Sequence, residues 1–219
     1  MYAIVSFHTD NYRPMTDHTW PNKVEYAQRH GYDYFCVETP QGQHYGPSGK
    51  IPTIKQYMDT HPDTEWIMWV DSDTLITNYT IKIEDLIDND YHFIVSTDGN
   101  GINTGIFFIK NSPEMNKFID YLLEVYVEFE NKYQFMGEQE SIAQSYEKPE
   151  WGHMMKLIPQ HLINCHDCWP NGWEPGFSHD KFGNRSWWEA GDFIIHWPGS
   201  SLETRVNRQL PYYLPKVIK

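Results

Sequence analysis

The chain has 219 residues and a formal net charge of −13, from 30 Asp and Glu against 17 Lys and Arg. That length suits one domain with a core large enough to fold without disulfide staples. The charge argues against a nucleic-acid partner, whose phosphates it would repel, and obliges any anionic substrate to find a bound cation or a few placed basic groups.

Residues 2–7 (YAIVSF) read as a first strand, and MYAIVSFHTD runs into it with no leader pattern. A helix is predicted over 16–30, opening at Thr16 or Asp17, whose side chains can cap its first amides, and closing before Gly31. YDYFCV (32–37) has the composition of a second strand. Pro40, Gly42, Gly46, Pro47 and Gly49 make 38–50 a loop, followed by a short helix over 52–60. Trp66 to Val70 is then an unbroken apolar strand. This βαβαβ order with near-continuous apolar strands is the pattern of a parallel sheet covered on both faces, which binds ligands beyond the carboxyl ends of its strands.

HFIVST (92–97) and TGIFFIK (104–110) are strands flanking the turn Asp98-Gly99-Asn100-Gly101. Met115, Phe118, Ile119, Leu122, Leu123, Tyr126 and Phe129 recur at helical spacing and predict a helix over 113–130, with another over 138–147. MMKLIP (154–159) and DFIIHW (192–197) are late strands around a loop-rich stretch, 160–190, that holds Trp169, Trp173, Trp187 and Trp188. No apolar run approaches the length needed to span a membrane, so the chain is expected to be soluble and cytoplasmic, or the catalytic domain of a longer protein. Three cysteines make no disulfide framework. Cys165-His166-Asp167-Cys168, with His161 nearby, is a single CxxC without a partner pair, a weak zinc signal.

The strand 66–70 ends in Asp71-Ser72-Asp73, and alternation puts both aspartates on one side. Two carboxylates about 4 Å apart repel by about 4 kcal/mol at an effective dielectric near 20, and a divalent cation reverses that sign. An oxygen-rich site of this kind suits Mg²⁺ or Mn²⁺, which keep positions open for substrate phosphates. Two other readings compete. One is a solvated turn. The other is a phosphatase: DSDTL after an apolar strand resembles the opening motif of haloacid-dehalogenase-like enzymes, with Asp71 as nucleophile. Against the phosphatase, that motif normally follows the first strand of its core, whereas here a βαβα unit precedes it, and no convincing acidic pair follows downstream.

EWIMWVDSDTLITN (65–78) resembles the DxD segment of GT-A glycosyltransferases, most closely glycosyltransferase family 34, with family 8 a near relative. Further matches follow in order. GKIPTIKQYM resembles the family segment in which a lysine, here Lys50, precedes the helix leading into the DxD strand. GINTGIFFIKNS resembles its Asn-Thr/Ala-Gly strand through Asn103 and Gly105. GEQESIA resembles its acidic-Gln motif through Glu138 and Gln139, and HWPGS its His-x-x-Gly through His196 and Gly199.

The resemblance implies an α/β GT-A fold, a Rossmann-like central sheet that is mixed, mostly parallel and flanked by helices. It implies one catalytic domain over 1–219, with a nucleotide-binding half (1–75) and a donor-sugar and acceptor half (76–219). It implies metal-dependent transfer of a sugar from a UDP-sugar to a glycan or other hydroxyl acceptor, with retention. Asp71, Asp73 and His196 would hold Mn²⁺ or Mg²⁺. Val5, Ser6 and Phe7 would hold the uridine with Lys50 as a further contact, and Ser72, Asn103 and Gly199 would complete the nucleotide site. Asp98 could bind donor-sugar hydroxyls, and Glu138 and Gln139 would stand near the anomeric carbon. The four Trp of 160–190 are candidates for an acceptor wall. Residue chemistry alone leaves His196 as a hydrogen-bonded core histidine, Asp98 as a turn residue and Glu138 as an acid at a helix N-terminus. A non-catalytic carbohydrate-binding domain built on the Trp-rich loop is the remaining reading.

The chain departs from the family in three ways. Ser200-Ser201-Leu202 stands where relatives carry a Lys after the His-x-x-Gly, so a diphosphate contact is missing or comes from elsewhere, with Arg205 a candidate. No membrane anchor is expected before the domain. The module is also compact, which resembles the glycosyltransferases encoded by large algal viruses.

Overall fold

The computed structural model describes residues 1–39, 49–133, 137–168, 172 and 176–219. The strands are β1 (Tyr2–Thr9), β2 (Asp33–Thr39), β3 (Trp66–Val70), β4 (Thr74–Ile76), β5 (Phe93–Thr97), β6 (Ile102–Lys110), β7 (Met155–Ile158), β8 (Cys165–His166) and β9 (Ile194–His196). The main helices are α1 (Arg13–His30), α2 (Lys50–Thr60), α3 (Pro113–Tyr133) and α4 (Gly137–Tyr146).

Six strands form the central sheet in the order β2-β1-β3-β6-β5-β7. β1 pairs in parallel with both β2 and β3, and β5 with β7. β6 runs antiparallel to both β3 and β5, so the sheet is mixed and mostly parallel. Alternation along the strands sends Val5, Trp69 and Phe107 into one apolar layer with Ile51 and Ile54 of α2 and Phe118 and Ile119 of α3. The neighbouring Ile4, Met68 and Phe108 enter the opposite layer with Tyr26 and Ala27 of α1. All five residues of β3 are buried, as a central strand covered on both faces requires. Each such side chain contributes about 1.5–3 kcal/mol of burial.

α1 begins three residues before the predicted start. Pro14 sits in its first turn, where a missing N–H costs nothing, and Thr16 is buried rather than capping. Its end is as predicted: Gly31 takes a left-handed φ of 69° and its N–H returns to the carbonyls of Ala27 and Gln28. The predicted loop 38–50 gives way to strand at 38–39 and to helix at Lys50, and its residues 40–48 lie outside the described residues.

The return of apolar residues after the aspartates is explained by a second, three-stranded sheet in the order β4-β9-β8. β4 pairs antiparallel with β9, placing Thr74 opposite His196, and β9 pairs in parallel with β8, placing His196 opposite His166. The chain then turns through Leu202–Thr204, a π-helical Arg205–Gln209 and Leu210–Tyr213. Leu210 and Tyr213 pack with Leu75, Ile195 and Trp197 on this small sheet.

Candidate metal and nucleotide site

Asp71 and Asp73 leave the carboxyl end of β3, and His196 arrives as the last residue of β9. Two hydrogen bonds fix the junction: Asp71 N–H donates to Gly105 O at 2.8 Å, and Trp197 N–H to Asp73 O at 3.1 Å. From below, α1 grips the intervening loop, with Thr19 Oγ1 3.0 Å from Ser72 O and Lys23 Nζ 2.9 Å from Thr74 O. Burial pushes the Lys23 ammonium down to about 8. Asp71, Asp73 and His196 each offer a ligand atom within 4.8 Å of the others, and among the described residues this is the cluster able to hold a metal ion.

The donor set turns on His196. Its Nδ1 lies 2.8 Å from Asn164 Oδ1. Asn164 Nδ2 meanwhile donates to Asn103 Oδ1 at 2.9 Å and to Ser96 Oγ at 3.1 Å, which assigns the amide oxygen to the histidine. Nδ1 therefore donates to Asn164, and Nε2 is the ring nitrogen left to face Asp73 Oδ1, at 3.5 Å. Deprotonated, Nε2 adds a lone pair to the two carboxylates, a donor set that fits a divalent metal. The ring reaches this position because residue 105 is glycine: a Cβ there would lie 2.2 Å from His196 Cε1.

Each carboxylate also has a basic partner. Arg205 Nη2 lies 2.6 Å from Asp73 Oδ2 and 2.9 Å from Trp197 O. Burial pushes the Asp73 carboxyl up, but His196 and Arg205 outweigh it and hold the group below the usual carboxylate range. Lys50, 4% exposed, places Nζ 3.2 Å from Asp71 Oδ1, 2.9 Å from Glu138 Oε1 and 2.7 Å from Thr104 O. Its pKa is raised although burial opposes this, because Asp71 and Glu138 surround it. Glu138 is raised by burial and by Asp71, against the pull of Lys50. Trp69 Nε1–H donates to Asp71 Oδ1 at 2.6 Å.

A family model, that of the galactosyl transferase GMA12/MNN10 family, matches residues 4–90 and 87–206, nearly the whole chain. The chain belongs to that family. Among galactosyl transferase GMA12/MNN10 relatives, an alpha-1,2-galactosyltransferase of Schizosaccharomyces pombe is 26% identical over 219 residues, covering 81% of this chain. The chain spans only about half of that relative, 54% of its length. Two solved structures show the fold to be GT-A. A glycosyltransferase involved in glycosylation of the major capsid of PBCV-1 superposes with a TM-score of 0.72 at 19% identity, covering 94% of this chain and 97% of that one. The galactosyltransferase LgtC, in complex with donor and acceptor sugar analogs, gives 0.55 at 11% identity, covering 90% and 87%. Family membership removes the phosphatase reading of Asp71.

The structure of this GMA12/MNN10 family chain brings most of the sequence-derived residues to one end of the sheet. Pairing of β1 with β3 stops at Val5 while pairing with β2 continues to Thr9, so Ser6 and Phe7 lie where β1 and β3 diverge above the aspartates. Val5 itself is wholly buried in the core. Ser6 Oγ–H is spent on Val70 O at 2.8 Å, and Phe7 is half-buried against Gly49. Asn103 and Asp98 extend the chain of bonds behind His196: Asn103 Nδ2 donates to Asp98 Oδ2 at 2.8 Å. Asp98 Oδ1 accepts from Asn100 N and Gly101 N, which is turn chemistry. Gln139 Oε1 accepts from Thr104 N at 3.2 Å, tying α4 to β6. Gly199 has φ 75°, a left-handed turn just after the histidine.

The acceptor-wall and zinc expectations fare differently. Trp169 and Trp173 lie outside the described residues. Trp188 is buried with Nε1–H donating to Thr77 Oγ1, and Trp187 Nε1–H donates to Glu189. Among the described residues of the same stretch, the large exposed rings are Phe177 and Phe182, and Phe177 packs on Gly99 of the Asp98 turn. Cys165 and Cys168 are protonated thiols on the carbonyls of His161 and Phe177, and burial pushes Cys168 up to about 11. Sequence reasoning misses Asn164 and Lys23, and takes His166 only as part of a weak zinc signal. The His166 Nε2 is shielded from solvent without a hydrogen-bond partner, its ring edge-on to His196 at 5.5 Å between centroids.

Proposed function

We propose that the chain transfers a sugar from a UDP-sugar to a hydroxyl of a glycan, with retention, using Mn²⁺ held by Asp71, Asp73 and His196. The observation that carries this is His196 Nε2 held toward the two carboxylates at the carboxyl end of β3. An imidazole in the donor set favours Mn²⁺ over Mg²⁺, which prefers oxygen alone. The bound cation supplies Lewis-acid stabilisation of the departing diphosphate. Asn164, Asn103 and Asp98 keep His196 oriented, Trp69 and Lys50 orient Asp71, and Arg205 orients Asp73. Residues 1–75 form the nucleotide half and 76–219 the donor-sugar and acceptor half of one domain. The names of the relatives make galactose the first donor to test.

Glu138 and Gln139 sit at the start of α4, beside β6, where a donor sugar would extend from the diphosphate. Glu138 is buried and committed to Lys50, so consuming its charge as a nucleophile would leave the buried ammonium with Asp71 as its one remaining carboxylate partner. This supports same-face attack: the C1–phosphate bond breaks, the acceptor oxygen bonds C1, and its proton passes to the departing phosphate oxygen. Glu138 then acts through its charge, and Gln139 holds Thr104 in register.

The test is a panel of UDP-sugars, UDP-galactose first, with Mn²⁺ or with a chelator, followed by calorimetric binding and UDP release. Metal-dependent UDP affinity, lost at least about tenfold in Asp71→Asn and Asp73→Asn with unchanged melting temperature, supports the proposal. UDP affinity indifferent to metal, or turnover of simple phosphomonoesters without UDP affinity, refutes it.

A further inference from the structure

A chain of net charge −13 is expected to present an acidic metal site that collects cations from solution. The geometry shows the opposite. Asp71 has Lys50 at 3.2 Å and Asp73 has Arg205 at 2.6 Å, and both basic side chains are more than nine-tenths buried. Counting the neighbouring groups, the carboxylates of Asp71, Asp73 and Glu138 are set against Lys50, Arg205 and Lys23. The last lies 3.5 Å from Ser72 O between the two aspartates. Three negative and three positive side chains meet in one cluster, buried except on the side of Asp71.

We propose that Lys50 and Arg205 are resident counter-cations that neutralise the DxD carboxylates, so that a divalent cation binds this chain tightly only together with a nucleoside diphosphate. This rests on the proposed function and names the regulation of that same site. A bare divalent ion brings a charge of +2 beside two fixed positive side chains and is opposed by both. A diphosphate brings the compensating negative charge, to the metal and to the exposed side of the cluster. Each ligand then raises the affinity of the other by the same factor, since coupling between sites is reciprocal. The Arg205 guanidinium is anchored on Trp197 O and so remains in place whichever ligand arrives.

The experiment measures Mn²⁺ affinity from the spin resonance of free Mn²⁺, alone and with UDP or UMP, on the full chain and on Arg205→Gln and Arg205→Lys. The full chain is expected to bind Mn²⁺ at least about tenfold more tightly with UDP than alone, and UMP to give a smaller gain. Arg205→Gln is expected to bind bare Mn²⁺ about tenfold more tightly than the full chain, the effect of removing one partly screened charge, and to lose much of the UDP gain. Arg205→Lys keeps the wild-type pattern. Bare-ion affinity that is unchanged or weaker in folded Arg205→Gln overturns the proposal, because Arg205 would then only orient Asp73. Should Arg205→Gln not fold, Lys50→Gln, which removes the counter-cation of Asp71 and keeps an amide donor for Glu138, reads the same quantity at Asp71, by the same criteria. Failure of the proposed function looks different: no UDP binding by the full chain under any metal, while the bare-ion comparison remains readable.

Discussion

Gly105→Ala tests the site through one methyl group. The added Cβ would lie 2.2 Å from His196 Cε1 and 2.6 Å from Nδ1, where ordinary carbon contacts are about 3.5–4.0 Å. Both backbone groups of Gly105 are tied down, its O accepting from Asp71 N–H and its N–H donating to Asn103 Oδ1 at 3.0 Å, next to the pairing of Ile106 with Val70. The imidazole must therefore retreat by more than about 1 Å, which breaks its 2.8 Å bond to Asn164. Overpacking costs about 1–3 kcal/mol and the lost hydrogen bond about 1 more. For a chain of this size the sum corresponds to a fall in melting temperature of roughly 5–12 °C. Glycine to alanine in a strand without such a contact stabilises by up to about 1 kcal/mol, so even the sign discriminates. Calorimetric melting gives the stability, and Mn²⁺ titration in the presence of UDP gives the ligand geometry. A melting temperature equal to or above wild type, together with unchanged Mn²⁺ dependence, refutes the claim that residue 105 makes room for the histidine.

Asn164→Leu keeps the volume but removes the acceptor of His196 Nδ1–H and the donor to Asn103 and Ser96. Stranding those buried groups is expected to cost about 2–4 kcal/mol and to weaken Mn²⁺ binding in the presence of UDP about tenfold or more; an Asn164→Leu chain with native Mn²⁺ affinity refutes the tautomer assignment. Burial pushes His166 down to about 3, with the His196 charge acting in the same direction. The unfolded chain takes up this proton near pH 6.5 and the folded chain refuses it, so the contribution to stability is complete above pH 6.5 and is lost as pH falls toward 3, with a slope of up to about 1.4 kcal/mol per unit. In denaturant melts across that window, His166→Phe should flatten the slope, and an identical pH profile counts against the burial argument.

Much of the fold is legible because burial writes a simple code. The run Trp66–Val70 is apolar at every position because both faces of β3 are covered, and the parallel β1, β2 and β3 follow from helices of crossover length between them. The antiparallel insertion of β6 is less visible: TGIFFIK is as uniformly apolar as a parallel strand, and direction leaves no mark on composition. α1 shows the same limit at smaller scale. Its end is written by Gly31, whereas its start is misread because Pro14 stops a helix from inside but is welcome in its first turn.

The site divides along a different line. Asp71 and Asp73 announce themselves because two charges at the end of a buried strand contradict their local environment. Asn164 contradicts nothing. It is an ordinary polar residue in a loop, and its role exists only because β8 and β9 bring it to a histidine 32 residues away. Arg205 and Lys50 are legible as candidates for the nucleotide, but their burial is not, against carboxylates 132 positions away in one case and across the β3 end in the other. The groups that would meet a ligand directly are thus the ones legible in sequence, while those that set their charge, tautomer and orientation become visible only once long-range pairing is known. That asymmetry makes Arg205 the more informative target: an aspartate variant tests a role the motif already implies, whereas the response of bare Mn²⁺ affinity to Arg205→Gln depends on a neutralisation that only the folded geometry supplies.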